Sequence, residues 1–148
     1  MVEFADEDLI PAPRSIIWKL LGDHLDDKKI PTIHPLIQSQ TTVSHTGNVT
    51  VVDRVIDTRG KPLKSRWQLT LEPPDHYRWE VHASEGPWAP GTYLDIRYEE
   101  VPGGTRVLAR GALTISVLPF FLSQKRTVAS VLNDISIEDW AFINRYRF

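Results

Sequence analysis

The amino-acid sequence predicts an α+β fold in which a curved, seven-stranded antiparallel sheet holds one long C-terminal helix, with a cavity between them. Three observations lead there. From Pro119 to Phe148, Phe121, Val128, Val131, Leu132, Ile135, Phe142, Ile143 and Tyr146 share one helical stripe, while Lys125, Arg126, Asn133, Asp134 and Arg145 fall mostly off it. A regular helix of about 27 residues there is roughly 40 Å long, too long to cap one corner of a small domain, so it needs a long partner surface. From Leu36 onward the apolar period changes to two, in segments of about ten residues, each about 33 Å at full extension. These segments are apolar on one side only, as in an antiparallel sheet with one wet face.

Taken in order, residues 2–10 form a first strand, ended by Pro11 and Pro13, because two close prolines forbid a regular ladder. Pro13 suits the first turn of a helix over Arg14 to Leu21, with Ile16, Ile17, Leu20 and Leu21 on one face and a stop expected at Gly22-Asp23. The prolines of Ile30-Pro-Thr-Ile-His-Pro35 allow only a second, broken helix or turn across one end of the sheet. Leu36 to His45 reads as a polar strand near an edge, Val49 to Asp57 as the next, and Ser65 to Leu71 as a cleanly alternating one. His76 to Ala83, Leu94 to Glu99 and Val107 to Ser116 complete the sheet, with turns at Thr46-Gly-Asn48, Arg59-Gly-Lys-Pro62, Pro73-Pro-Asp75 and Pro102-Gly-Gly104. Glu85 to Gly91 is the longest loop. In such a meander alternate loops share an end, and the end holding 59–62, 85–91 and 24–35 collects the most irregular connections, so the mouth of the chamber is placed there.

A chain of 148 residues fits a single domain spanning 1–148, and at this size about 68–70% of the unfolded surface can be buried without staples. The absence of cysteine excludes disulfides, thiol catalysis and thiolate metal sites. The acidic start, Met1 to Ile10, has no apolar run after a basic one, so neither a signal peptide nor an integral membrane segment is expected and a cytoplasmic location is. With 17 basic and 19 acidic side chains and no Lys/Arg run beyond two, nucleic acid is disfavoured as a partner.

The inward stripes supply the candidate cavity residues: Trp67, Tyr77, Trp79 and Tyr98 from the sheet, and Gln124, Val128, Ile135 and Asp139 from the helix. For each aromatic the plainer role is core filler, although several on one face suit a flat or greasy ligand. Asp139 would aim a carboxylate at the chamber if the helix is regular, and could then act as a general acid or base. A helix restarted at Ser136 would make it a cap, which is the favoured reading because charges are rarely buried unpaired. Val51-Val-Asp-Arg-Val55 is apolar in both registers, so unless a bulge intervenes either Asp53 or Arg54 points inward, Arg54 toward a ligand carboxylate or phosphate or Asp53 toward a sheet arginine, with a structural ion pair the favoured outcome for either. Trp88, between Pro87 and Pro90, is a candidate lip over the mouth. No histidine pair has the spacing of a helical zinc site, and His24 with Asp23, Asp26 and Asp27 reads as a solvated helix end. No metal or cofactor is expected, and no hydrolase or phosphate-loop motif is present.

Ile10-Pro-Ala-Pro-Arg-Ser-Ile-Ile-Trp18 with Leu20-Leu-Gly-Asp23, the turn Pro102-Gly-Gly-Thr-Arg-Val107 and the terminal amphipathic stretch resemble the START/Bet v 1-like superfamily, in particular its polyketide cyclase/dehydrase and lipid-transport group. The resemblance spans nearly the whole chain in element order, and its motifs are structural. It implies the helix-grip fold, an internal hydrophobic cavity and apolar small molecules as partners, and it selects no activity. The leading expectation is a binder or carrier of a hydrophobic small molecule such as a lipid or polyketide. One alternative is a polyketide cyclase/aromatase-type enzyme working through Tyr77, Asp53, Arg54 and Asp139. Another is a protein-interaction module presenting Ile137 and Trp140, and a homodimer stays open.

Overall fold

A computed structural model describes residues 2–34, 37–58, 61–85 and 89–114. The elements run β1 (Val2–Ile10), α1 (Arg14–His24), α2 (Ile30–Ile33), β2 (Ile37–Thr46), β3 (Val49–Thr58), β4 (Lys61–Glu72), β5 (His76–Ser84), β6 (Tyr93–Val101) and β7 (Gly104–Leu113). The strands form one seven-stranded sheet in the order β1-β7-β6-β5-β4-β3-β2, every neighbour antiparallel. The expected long C-terminal helix, the Trp88 lip and the candidates Gln124, Val128, Ile135 and Asp139 lie outside the described residues.

Several boundaries differ from the sequence reading. Helix α1 runs through Gly22 and closes at Leu25, whose amide bonds the Gly22 carbonyl. A glycine inside a helix weakens it but does not end it when the helical bonds continue on both sides. Strand β4 starts at Lys61, so Pro62 lies in the strand, paired with Asp57 on β3. That proline is tolerated because pairing with β5 begins only at Ser65, leaving its other side outside the ladder. The last strand ends at Leu113.

The corner between β1 and α1 is built against the β6–β7 hairpin. Gly103 and Gly104 adopt φ of 92° and 152°, and a side chain on Gly104 would overlap the Ile10 carbonyl. The next residue, Thr105, is fully buried and its hydroxyl donates to the Ala12 carbonyl at 2.7 Å. Helix α1 thereby starts at this end and crosses the sheet toward β2, which begins at the opposite end, where Ile37 pairs with Ile56.

One core cluster joins Ile10, Ala12 and Ile17 to Ile96, Tyr98, Val107 and Ala109, and a second centres on Val52, Leu69 and Trp79. Both lie on the sheet face that α1 packs, hereafter the inner face. The outer face carries cross-strand charge pairs. Asp53 meets Arg66 at 2.7 Å, Arg78 meets Asp95 at 3.9 Å and, within its own strand, Glu80 at 3.0 Å, and Arg106 meets Glu7 and Glu99. These partners are about half exposed, so each pair contributes on the order of 0–1 kcal/mol. The outer face is therefore the wet one that the alternation requires.

Candidate functional site

The inner-face side chains are fixed by strand register. Gln40, Arg54 and Ser65 form one row across β2, β3 and β4, while Thr50, Leu69, Trp79 and Leu94 form another across β3, β4, β5 and β6. Leu71, Tyr77, Ile96 and Ala109 follow toward the α1 start. The Gln40–Arg54–Ser65 row thus gathers amide, guanidinium and hydroxyl groups, and the rows beyond it are mostly aromatic and aliphatic.

Register resolves the Val51 to Val55 ambiguity. Arg54 points inward and is 9% exposed, whereas Asp53 stands on the outer face with its carboxylate bidentate to Arg66. The expectation of Asp53 as a cavity residue is corrected accordingly: the directly opposed Arg66 draws it outward and holds its carboxyl below the usual range. The Arg54 guanidinium lies over the Trp79 ring, 4.2 Å from its centroid, and its Nε donates to Gln40 Oε1 at 2.8 Å. Both contacts suit a cation that is only partly solvated.

Gln40, 6% exposed, ties this group to the α1–α2 corner. Its Nε2 donates to the His24 carbonyl at 3.1 Å and to Asp27 Oδ1 at 3.0 Å. Asp27 also accepts from the Thr42 amide at 2.7 Å and the Thr42 hydroxyl at 2.9 Å. Partial burial disfavours its charged form, but these donors and the nearby Arg54 outweigh that and its pKa falls below the ordinary value. The His24 ring packs edge-on against His34 at 6.0 Å. Burial, then the nearby Arg54 charge and His34, depress the His24 pKa to about 3, so its imidazole is neutral at physiological pH. His24 is therefore not a solvated helix end. It follows Ile17 and Leu21 on the same helical stripe, a signal that becomes visible once α1 continues past Gly22.

Two aromatic groups flank the apolar side. Trp67 and Trp79 pack edge-to-face at 6.3 Å, with Trp67 Nε1 donating to Ser65 Oγ at 2.8 Å. Nearer the α1 start, Tyr77 and Tyr98 share a hydroxyl contact of 3.2 Å, and Trp18 lies edge-on to both at 6.2 and 6.3 Å. Trp67, Tyr77, Trp79 and Tyr98, all expected to face inward, do so. Sequence reading missed Gln40 and His34 and took Asp27 for part of a solvated helix end, since a polar strand beside a proline-broken segment gives no local sign of which side chains turn inward.

Among the described residues no group of three histidine, aspartate or glutamate side chains is placed to hold a metal ion, and no helix is long and apolar enough to cross a membrane.

No protein-family profile and no curated protein matches the sequence. Solved structures do match. The di-domain aromatase/cyclase StfQ of steffimycin biosynthesis superposes with a TM-score of 0.76 at 14% identity over 95% of this chain, which spans about half of that protein, 48%. The ZhuI aromatase/cyclase from Streptomyces sp. R1128 gives 0.71 at 13% identity, covering 97% of this chain and 89% of that one. Ara h 8.0201 gives 0.68 at 19% identity, covering 95% and 97%. A START superfamily protein from Mycobacterium smegmatis gives 0.74 at 9% identity, covering 92% of each chain, and the sheet order and the three-dimensional likeness agree: this chain has the START/Bet v 1-like fold.

Proposed function

We propose that the protein binds or carries a hydrophobic small molecule against the inner face of the sheet, its apolar body over the Leu69–Trp79–Leu94 and Leu71–Tyr77–Ile96 rows and its polar end toward the Gln40–Arg54–Ser65 row. The observation that carries this reading is the sidedness of the inner face. Trp67, Leu71, Tyr77 and Leu94 stay half-buried on it while Leu69 and Val52 are fully buried, and the polar Gln40–Arg54–Ser65 row borders them, its guanidinium reaching over Trp79. Half-covered aromatic and aliphatic groups converging with a few polar ones are the lining that small apolar ligands require. The likeness to aromatase/cyclases, which act on small molecules, supports a small-molecule reading at the level of the fold.

An enzymatic reading of the cyclase kind draws on these groups less well. A base works best with a pKa near the operating pH, and His24, held at about 3, is a weak one. The Tyr77 hydroxyl is engaged with Tyr98, and Asp53 faces away. Native mass spectrometry of freshly purified protein tests the proposal. An apolar adduct of a few hundred daltons that organic solvent extracts is the expected result. A bare polypeptide mass that no apolar compound shifts, in a screen of fatty acids, flavonoids and polyketide aromatics, contradicts it.

A further inference from the structure

We propose that His76 is a proton-operated clamp: its imidazolium, set between Glu72 and Asp95, fastens the β4–β5 turn to β6, and loss of its proton loosens that turn and the tyrosine pair behind it. The proposal does not rest on ligand binding, although it reaches the same inner face.

His76 opens β5 on the outer face of the sheet, yet it is 9% exposed. Its Nδ1 meets Glu72 Oε2, at the end of β4, at 2.9 Å, and its Nε2 meets Asp95 Oδ1 on β6. A neutral imidazole has one N–H and one bare nitrogen, so it donates to one carboxylate and turns a lone pair toward the other, whereas the imidazolium donates to both. The arrangement is complete only with the charged ring, which joins three strands at one point. Among the described residues the charged groups around it are Glu72 on β4, Asp95 and Arg97 on β6 and Arg78 on β5 itself. Arg78 is drawn aside, its guanidinium over Tyr93 at 4.0 Å and bonded to Glu80 at 3.0 Å. Burial and Arg97 disfavour the charge, but Glu72 and Asp95 together outweigh them, so the proton is held beyond the ordinary histidine range.

Two short links carry the clamp to the inner face. Tyr77, next in the strand, points to the opposite side, and its hydroxyl lies 3.2 Å from that of Tyr98. The Asp75 carbonyl in the turn accepts the Tyr98 amide at 2.7 Å, one rung past the His76–Arg97 pair. Once the ring is neutral, one carboxylate faces a lone pair instead of a donor, and the Asp75–Tyr98 rung opens more often.

The test follows hydrogen exchange of the Tyr98 amide in the full chain by NMR from about pH 6 to 8.5, across the range in which a raised histidine loses its proton. Rates are expressed as protection factors, in which the intrinsic pH dependence of exchange cancels. In the parent the Tyr98 protection should fall about tenfold as His76 titrates, roughly what one charge-assisted hydrogen bond is worth. The Val49 amide, in the distant β2–β3 hairpin, should keep its protection. His76→Gln should be flat and as weakly protected as the parent at the upper end. Glu72→Gln, at a side chain 67% exposed, stays informative if His76→Gln fails to fold, and should shrink the fall to about threefold or less. A parent whose Tyr98 protection does not change, or a His76→Gln or Glu72→Gln variant that keeps the full fall, overturns the clamp.

Discussion

Asp53 and Arg54 are neighbours in the chain and end on opposite faces of the sheet, each held there by a residue far away in sequence: Arg66 for the first, Gln40 and Trp79 for the second. His24 and His76 show the same dependence on surroundings with opposite sign. Burial alone would lower the His76 pKa, but its hydrogen bonds to Glu72 and Asp95 outweigh that and raise it. His76 therefore stabilises the fold below the unfolded value of about 6.5 and loses that contribution as pH rises through its folded pKa. His24, lowered to about 3, stays neutral in the fold while the unfolded chain takes up a proton, so it costs stability as pH falls from about 6.5 toward 3, with a slope up to about 1.4 kcal/mol per pH unit. An NMR titration of the imidazole resonances from pH 5 to 8 should show His76 moving with a midpoint above 6.5 and His24 flat. A His24 signal titrating near 6.5 would contradict its enclosure beside Arg54. What sequence could not supply at this scale was the cross-strand partner. Strict alternation in Ser65 to Leu71 gave the inward side directly, whereas Val51 to Val55 is apolar in both registers and only the opposing strands decide it.

At the level of elements, the succession of hairpin-linked strands from β2 to β7 was legible, because turn residues punctuate each hairpin and half-burial imposes a period of two, whereas the pairing of β1 with β7 joins distant segments and has no local sign. The misjudged ends have local causes: Gly22 sits in a helix whose bonds continue past it, and Pro62 sits where β4 has one strand beside it instead of two. The β1–α1 corner was read as a proline stop, but its stability comes from the Gly104 backbone packed under Ile10 and from the buried Thr105 hydroxyl. Gly104→Ala should therefore lower stability by about 1–3 kcal/mol, since backbone would have to move to admit the methyl group. Leu69→Ala, at a fully buried centre of the second core cluster, should cost about 2–5 kcal/mol, while Arg66→Ala on the outer face should cost at most about 1. Urea denaturation of the three variants checks the ranking. An Arg66→Ala loss matching that of Leu69→Ala would mean the outer charge pairs, not the inner clusters, hold the sheet together.

At the scale of the whole molecule, one sheet separates two environments. Its outer face is a lattice of paired charges open to water, and its inner face grades from aromatic and aliphatic groups to an amide and a guanidinium near β2, where the His24 and His34 rings of the α1–α2 corner lie close by. The START/Bet v 1-like architecture was legible from a few structural motifs and the periodicity, but the identity of a ligand was not. Binding surfaces of this kind are assembled from single residues on many strands, with no contiguous signature. The most direct test of a ligand-bearing inner face is chemical-shift mapping on saturation with 2-naphthoate. The account expects the indole N–H signals of Trp67 and Trp79 and the methyl signals of Leu69, Leu94 and Ile96 to move together, while the Arg66, Glu80 and Arg110 amides on the outer face stay in place. Shifts confined to the outer face, or none at all at saturating probe, would contradict it.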